Sequence, residues 1–509
     1  MSTELTSRQR NGILATMCLA LVAVVASVSG LNVALNELAV ELEASSTQVL
    51  WIVNAYTLTM AALLLPIGEL GDRFGRRRLL IIGLAIFGAA NLGAAFAGDP
   101  STMIALRAVA GLGAAFVMPA TLSTLTAVFP PEERGQAVGV WAGFAGAGGI
   151  LGLFSSAILI DYASWQWLFV MPVAVAAAAI VATLVIVPET RNDQAPRFDL
   201  AGAALSILAV GGIVMGVEEG PHIGWTDPIT LTGLLGGFAA AVAFVHVERR
   251  AEHPLLDVRI FGNRALADGS ASLLVLFALM LGSFLVVIQL LQAALGFSAV
   301  TAAAGLLPMA AGMMGLSPVA PRIADRFGLV NVLTVGSVLM AVSFTWLGLA
   351  GDTYLSVLPG LILLGLAMGL SMSPATTAIT EALPAERQGL ASALNDTVRE
   401  AGSALGIALI GSTLTSVYAD SIRDTTEQLP AELAHPVEEG IGQALAVSAQ
   451  VGDPSIAEAA QQAFLDGWTV AMFVAAGAAV AGGVLVRALD RVQSSDVTDT
   501  PEPELATVA

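Results

Sequence analysis

The sequence predicts an all-α integral membrane protein in which fourteen transmembrane helices form two six-helix bundles plus two inserted helices. Three observations lead to this fold class. Of the 509 residues, 56% are hydrophobic and 12% are charged, about half the charged fraction of an average soluble protein. Apolar runs long enough to cross a bilayer recur from end to end. An internal repeat relates the two halves of the chain.

Fourteen apolar runs of roughly 18–25 residues predict the spanning helices. Asp99-Pro100 and Asp227-Pro228 place a capping carboxylate before a proline, which is typical of the start of a helix, and Ser45 with Gln48 predicts a capping box. The predicted spans are residues 12–35, 48–69, 79–97, 102–126, 137–160, 166–188, 199–218, 228–248, 266–291, 301–321, 331–350, 356–380, 390–417 and 467–487.

These spans divide the chain into segments. We expect an N-terminal tail at 1–11, a first six-helix bundle at 12–190, two inserted helices at 199–250 and a second bundle at 265–490. Within the second bundle, an outer loop at 418–466 carries nine carboxylates against one arginine. The tail at 491–509 is polar, acidic and contains prolines, so it is predicted to be disordered.

Arginine placement predicts the orientation. All 21 basic residues are arginines. With a cytoplasmic N-terminus, 18 of them fall in the tails or in cytoplasmic loops, while Arg107 and Arg399 fall inside helices and Arg423 alone lies outside. The positive-inside rule therefore predicts two cytoplasmic termini, as an even number of spans requires. The composition, rich in Ala, Gly and Arg, points to a multi-pass protein of a bacterial cell membrane.

Composition also excludes several functions. Without lysine there is no P-loop lysine and no Schiff-base lysine. A net charge of -19 argues against a nucleic-acid partner. Cys18 is the one cysteine, and the four histidines lack metal-ligand spacing. We therefore expect no enzyme, no metal site and no bound cofactor, with lipid as the surrounding partner.

The repeat rests on two landmarks at one offset. Asp72-Arg73-Phe74-Gly75 returns as Asp325-Arg326-Phe327-Gly328, 253 residues later, and Glu133-Arg134 returns at the same offset as Glu386-Arg387. A parallel repeat of two six-helix bundles is typical of secondary transporters, which bind their substrate between the repeats.

The run GELGDRFGRRR at 68–78 resembles the loop signature of the major facilitator superfamily. Stretches at 51–70, 291–308 and 390–412 resemble its fourteen-helix drug:proton antiporter family. The resemblance implies a monomeric secondary active exporter that works by alternating access. It would expel amphiphilic or cationic small molecules, as in multidrug efflux, with the proton gradient as its energy source. It also implies a cytoplasmic latch between the bundles.

The predicted latch consists of Gly68, Asp72, Arg73, Gly75, Arg76, Asp325 and Arg326. The glycines allow a tight turn, and Asp72 is expected at the N-terminus of a facing helix, where a carboxylate is stabilised. The alternative is that these arginines only determine topology.

Charges inside helices predict the coupling site. Arg107 in the fourth helix must face a partner or a wet cavity, unless it snorkels to an interface. In the thirteenth helix, Asp396, Arg399 and Glu400 lie along one helical face. One arginine cannot neutralise two carboxylates, so one carboxyl group should bind and release a proton. A self-neutralised Asp396–Arg399 pair with a permanently protonated Glu400 is the alternative.

A substrate cavity is predicted from polar and large flexible side chains at mid-span, although ordinary core packing explains the Met and Phe positions better. The candidates are Ser27, Asn32, Asn54, Tyr56, Met118, Phe144, Gln289, Met309 and Met372.

Two departures from the family pattern bear on function. Ser27 stands where the family's first helix has an aspartate, and Gly152-Leu153 replaces the glycine-proline pair of its fifth helix. These departures shift any proton role toward Glu400 and Asp396. They also keep open the export of a lipid, a siderophore or an endogenous metabolite without proton antiport. A non-transporting receptor or scaffold is disfavoured by the charged groups inside the helices.

Overall fold

The computed structural model of the chain describes residues 5–191, 197–350 and 353–498. Within these ranges, the described side chains exclude those of Asn32, Val33, Asn36, Ser46, His222, Ala431 and residues 492–498. All regular secondary structure in the described ranges is helical, and fourteen segments are long and apolar enough to cross a membrane. The predicted fold class is confirmed.

The described helices are numbered in chain order. They are α1 (Ser7–Glu41), α2 (Ser46–Phe74), α3 (Arg76–Ala94), α4 (Pro100–Val128), α5 (Pro131–Tyr162), α6 (Trp167–Ile186), α7 (Leu200–Ile223), α8 (Pro228–Glu248), α9 (Arg264–Gln289), α10 (Ala299–Gly305), α11 (Leu307–Leu316), α12 (Ala320–Phe327), α13 (Leu329–Leu349), α14 (Tyr354–Glu381), α15 (Gln388–Thr426), α16 (Ala431–Glu439), α17 (Ile441–Val451) and α18 (Pro454–Thr498).

Local chemistry fixes several helix boundaries. Asp99 accepts a hydrogen bond from the Thr102 amide at the start of α4, and Ser45 with Gln48 forms the expected capping box of α2. The tenth span is broken into α10 and α11 between Gly305 and Leu307. Pro308 follows at once, and its missing N–H cannot continue the hydrogen-bond ladder of α10.

Both chain ends are more helical than the sequence predicted. A capping box between Thr6 and Gln9 starts α1 at Ser7, inside the expected tail at 1–11. At the other end, α18 continues to Thr498, so the expected disorder of 491–509 is wrong for 491–498. No proline or glycine interrupts the chain between Gly483 and Pro501, so nothing in the sequence stops the helix earlier. Residues 1–4 and 499–509 lie outside the described residues.

The expected outer loop at 418–466 is also helical. It consists of the end of α15, the short helices α16 and α17, and the start of α18. Tyr418 of α15 donates a hydrogen bond from its hydroxyl to the carbonyl oxygen of Val437, and Thr426 donates to the Glu438 carboxylate. Three of the nine carboxylates lie on α16, which together with α17 we call the outer cap, and the other six lie on or next to the flanking ends of α15 and α18.

Helix packing shows two groups of spanning helices. Helices α1 to α6 pack on one another, and α9 packs with α13, α14, α15 and α18. The groups meet at two seams, where α2 and α4 contact α15 and where α5 contacts α10, α11, α12 and α14. The hairpin of α7 and α8 is inserted between the groups in sequence, and α7 packs against α2 and α15 at the first seam.

Small residues let the helices approach closely. A Cβ at Gly152 of α5 would lie 2.8 Å from the carbonyl oxygen of Ala26 in α1, so this glycine keeps α1 and α5 close although the family's proline is missing. Gly402 and Gly406 of α15 abut the backbone of α9 at Leu274 and Ala278. Close backbone contact of this kind is typical of helix packing in membranes.

Candidate functional site

Both described chain termini lie at one end of the helical assembly, together with the loops that carry most arginines; we call it the arginine-rich end. There, Asp72 at the end of α2 reaches the first turn of α15. Its carboxylate accepts hydrogen bonds from the amides of Gly389 and Leu390 at 2.7 and 3.1 Å. Arg76 lies 2.7 Å from the same carboxylate and donates to the carbonyl oxygen of Ala385. Asp72 thus occupies a facing helix N-terminus, where a negative charge is favoured.

Backbone contact completes this part of the seam. A Cβ at Gly68 would lie 2.6 Å from the carbonyl oxygen of Gly389, so α2 and α15 touch through their backbones. One turn away, Arg387 lies 3.7 Å from Glu69 and donates hydrogen bonds to the carbonyl oxygens of Pro254 and Leu255. Gly75 has a φ of 105°, a conformation that glycine tolerates, and ends α2 so that α3 begins at once. Arg73 is half-buried and stacks on Phe74.

The second seam is closed by groups other than Asp325 and Arg326, which the sequence predicts as part of the latch. Both side chains are exposed on α12, and no hydrogen bond joins either to the first bundle among the described residues. The first turn of α5 already contains Glu132 and Glu133, which occupy the favourable helix N-terminus and repel a further carboxylate. The first turn of α15 has no acidic residue, so no carboxylate there repels Asp72 from the amides of this helix N-terminus.

Polar contacts of α5 close this second seam instead. The Ser317 hydroxyl donates to the carbonyl oxygen of Gly139 at 2.8 Å, and Arg322 donates to the Gln136 amide oxygen at 2.8 Å. A Cβ at Gly135 would lie 3.1 Å from Pro321. The arginine-rich end is therefore closed at both seams.

Deeper in the membrane region, Arg107 of α4 is buried against Tyr56 of α2. Its guanidinium carbon lies 4.4 Å from the centroid of the Tyr56 ring, and its Nε donates to the carbonyl oxygen of Ile52 at 3.1 Å. Both Nη atoms are buried without a hydrogen-bond partner. Arg107 is only 1% exposed, so it does not snorkel to an interface. The Tyr56 hydroxyl donates to the carbonyl oxygen of Val24, which holds the ring in place.

The charged face of α15 lies where the two bundles meet. Arg399 pairs with Asp396 at 3.1 Å, and its guanidinium stacks on Phe277 of α9 at 4.5 Å and on Trp141 of α5 at 5.5 Å. Asn395 also donates to Asp396. Glu400 is half-buried and is in no ion pair among the described residues, although it interacts electrostatically with Arg399, Asp396 and Tyr56. Arg107, Tyr56 and Glu400 thus form a row that crosses from α4 through α2 to α15.

Sequence reasoning missed three charged residues near these contacts. Glu69 and Arg387 join the seam at the arginine-rich end, and Glu218 of α7 accepts a hydrogen bond from the Thr57 hydroxyl at 3.1 Å. Arg387 was visible as part of the repeat, and Glu69 stands inside the loop signature. The predicted seventh span ends at Glu218, but α7 continues to Ile223. This carboxylate therefore lies inside a spanning helix.

The predicted cavity residues do not converge. Met118, Met309 and Met372 are buried core residues; a Cβ at Gly146 would come 3.4 Å from the Met372 sulfur, so Met372 packs against α5. Ser27 donates to Asn91 inside the first bundle, and Gln289 is exposed at the end of α9. Asn54 and Phe144 are half-buried, and the side chain of Asn32 lies outside the described residues. Residue type alone therefore does not distinguish residues that pack inside one bundle from residues that lie where the two bundles meet.

Two helical bundles that meet at a row of buried charges, with one end closed by backbone contacts, define a multi-pass transport protein. The comparisons with known proteins agree with this class. The chain belongs to the Major Facilitator Superfamily, whose family model matches residues 17–407. It is therefore a transporter of the membrane rather than an enzyme.

Curated relatives give the same family. The chain is 31% identical over 460 residues to the multidrug efflux pump LfrA of Mycolicibacterium smegmatis, with 88% of this chain and 91% of that protein covered. It is 33% identical over 401 residues to the methyl viologen resistance protein SmvA of Salmonella typhimurium, with 77% and 80% covered. Among solved structures, a bacterial homolog of the human lysosomal transporter Spinster matches with a TM-score of 0.62 at 16% identity, covering 97% of this chain and 99% of that one. This last likeness shows the fold.

Proposed function

We propose that the protein is a proton-coupled exporter of amphiphilic, cationic small molecules, and so a multidrug efflux transporter. The observation that carries the proposal is the division of charge on α15: Arg399 pairs with Asp396 and leaves Glu400 half-buried and without an ion pair beside the first bundle. Arg399 also acts on Glu400, but one arginine cannot neutralise two carboxylates, so either a proton or a cationic substrate stabilises Glu400. Competition between the two couples export to the proton gradient.

Alternating access supplies the transport step. The arginine-rich end is closed by Asp72 at α15 and by Ser317 at α5. We place this end in the cytoplasm of a bacterium, in its plasma membrane, because it carries most arginines. The contacts then describe a state that is closed toward the cytoplasm. Protonation of Glu400 would release the substrate on the outside and permit the return to a state open to the cytoplasm. The scheme needs one monomer and no cofactor.

Reconstitution tests the coupling. Lipid vesicles that contain the purified protein should accumulate methyl viologen or ethidium when a pH gradient is imposed and the membrane potential is held at zero. Glu400→Gln should abolish the response to the gradient, because glutamine cannot exchange a proton. Glu427→Gln is the matched control: it makes the same change just past the end of α15, where the side chain is exposed. Flux that ignores the pH gradient in the wild-type protein would refute the proposal.

Export of a lipid or another endogenous amphiphile is the second candidate, and one observation favours it. An apolar groove of about 600 Å³ opens on the outside of the bundle between α15 and Trp225, lined also by Leu405, Leu409 and Val417. An acyl chain could lie there. Lipid that co-purifies with the protein and is lost in Leu409→Asp, together with vesicle transport of that lipid, would favour this candidate over drug export.

A further inference from the structure

The inserted hairpin of α7 and α8 contributes a carboxylate to the seam that carries the proposed coupling residue. Glu218 of α7 is half-buried, and its carboxylate accepts a hydrogen bond from the Thr57 hydroxyl of α2 at 3.1 Å. Glu400 of α15 is close enough to interact electrostatically with it. Three helices, α2, α7 and α15, thus bring one hydroxyl and two carboxylates to the first seam.

Packing fixes this arrangement. Val217, the neighbour of Glu218, packs against Ala404 and Ala408 of α15. Glu400, Ala404 and Ala408 follow one another at four-residue intervals, so they lie on the same face of α15. The face that carries Glu400 is therefore the face on which α7 rests. The inserted hairpin cannot move away from α15 without changing the surroundings of Glu400.

The depth of the two carboxylates differs. Both α7 and α15 start at the arginine-rich end. At 1.5 Å per residue, Glu400 lies about 18 Å and Glu218 about 27 Å along their helices. Glu218 is thus nearer the end away from the arginines, with Glu400 about two turns closer to the middle of the membrane. Neither carboxylate is in an ion pair within the described part of the chain.

Other charged groups near Glu218 do not neutralise it. Its own helix presents Glu219, α15 presents Glu400 with Asp396 and Arg399, and α2 presents the hydroxyls of Tyr56 and Thr57. Arg399 is engaged with Asp396 and with two aromatic rings. A half-buried carboxylate with no cation beside it among the described residues is stabilised when it binds a proton.

We propose that Glu218 is a second proton-carrying residue of the transport cycle, so that the inserted hairpin belongs to the coupling machinery and two protons enter for each cation exported. This inference rests on the proposed function, in which Glu400 carries the first proton. Each carboxylate binds one proton on the outer side when the substrate has left. Each loses that proton before the next substrate cation binds on the inner side.

Proton stoichiometry tests the inference. In vesicles with a pH difference of one unit and the membrane potential clamped at zero, each coupled proton supports about a tenfold ethidium gradient at the point where net flux stops. We expect the gradient at zero net flux to be about tenfold smaller in Glu218→Gln than in the wild-type protein. Glu427→Gln, the exposed control used above, should keep the wild-type gradient. Glu218→Asp retains a carboxylate at this position and should also keep the wild-type gradient.

A second measurement needs no variant. Saturating the detergent-solubilised wild-type protein with ethidium in weakly buffered solution should release two protons per bound cation, and release of one would overturn the inference. An unchanged gradient in Glu218→Gln, or an equal loss in Glu427→Gln, would also overturn it. The proposed function would still stand in those cases if Glu400→Gln lost its response to pH. A wild-type protein that ignores the pH gradient would instead remove the proposed function itself.

Discussion

Gly68 of α2 and Gly389 of α15 face each other so closely that a Cβ on either residue would overlap the carbonyl oxygen of the other. The absence of two side chains brings the helix backbones together at the arginine-rich end. It also lets the short side chain of Asp72 reach the amides of Gly389 and Leu390. Closure of this end thus depends on glycine pairing and helix capping together.

Gly68→Ala is expected to open this end of the seam. The added methyl group would overlap Gly389, and overpacking of this kind costs about 1–3 kcal/mol. Spin labels at the exposed positions Arg78 and Glu386 should report a longer distance, and drug export should fall. Gly71→Ala belongs to the same motif, but its Cβ would meet only Leu79 at 3.7 Å. Equal effects of the two substitutions would contradict this account.

Asp72→Asn and Asp325→Asn should differ although the two aspartates are repeat equivalents. Asp72 is 3% exposed and bonds two amides and Arg76, so its loss leaves buried donors unsatisfied at a cost of about 1–3 kcal/mol. Asp325 is exposed and should tolerate asparagine. Export rates of the two variants at equal protein amounts provide the measurement. A severe defect in Asp325→Asn with a mild one in Asp72→Asn would reverse the assignment.

Asp396→Asn should destabilise the protein more than the double substitution Asp396→Asn/Arg399→Gln. The single change leaves a buried guanidinium without its counter-charge, which typically costs about 3–5 kcal/mol. The double change removes both charges and leaves polar side chains of similar size. Thermal unfolding of the purified proteins compares the two. A double variant that is less stable than the single one would show that the Arg399 contacts with Phe277 and Trp141 matter more than the pair.

Arg107→Gln should lose the stacking on Tyr56, and its effect should depend on that ring. Such an interaction contributes about 0.5–2 kcal/mol, depending on how well water is excluded. Tyr56→Phe keeps the ring and loses the hydrogen bond to Val24, so most transport should remain, whereas Tyr56→Ala should behave like Arg107→Gln. If Arg107→Gln impairs transport as strongly in a Tyr56→Ala protein as in the wild-type protein, the two residues act separately.

The sequence predicted the fold well because the length of each hydrophobic run is read directly along the chain. It also placed Asp72 at a helix N-terminus, since the turn chemistry of its motif is local. The repeat did not reveal that Asp325 and Asp72 have different surroundings, because α5 opens with Glu132 and Glu133 whereas α15 opens without acidic residues. This contrast depends on where the two helices begin, which the predicted spans at 137–160 and 390–417 do not show.

The cavity and the role of the inserted hairpin could not be predicted in the same way. Met309 and Met372 are of a residue type that often lines cavities. The neighbouring helices decide whether such a flexible apolar side chain packs in the core or lines a cavity. Glu218 meets Thr57 across 161 positions of sequence, and no local pattern records such a contact. Such contacts depend on how helices far apart in sequence pack together, and a single sequence does not show which helices will be neighbours.

The uninterrupted length of α15 has a consequence for control from outside. At 39 residues it is about 58 Å long, well beyond the roughly 30 Å hydrocarbon core of a bilayer. Its first turn donates hydrogen bonds to Asp72, and its last turns support the outer cap through Tyr418 and Thr426. A stiff rod held at both ends cannot tilt at one end alone. In the orientation proposed above, an antibody fragment that immobilises the outer cap should therefore restrain the gate on the far side of the membrane, without entering the cell.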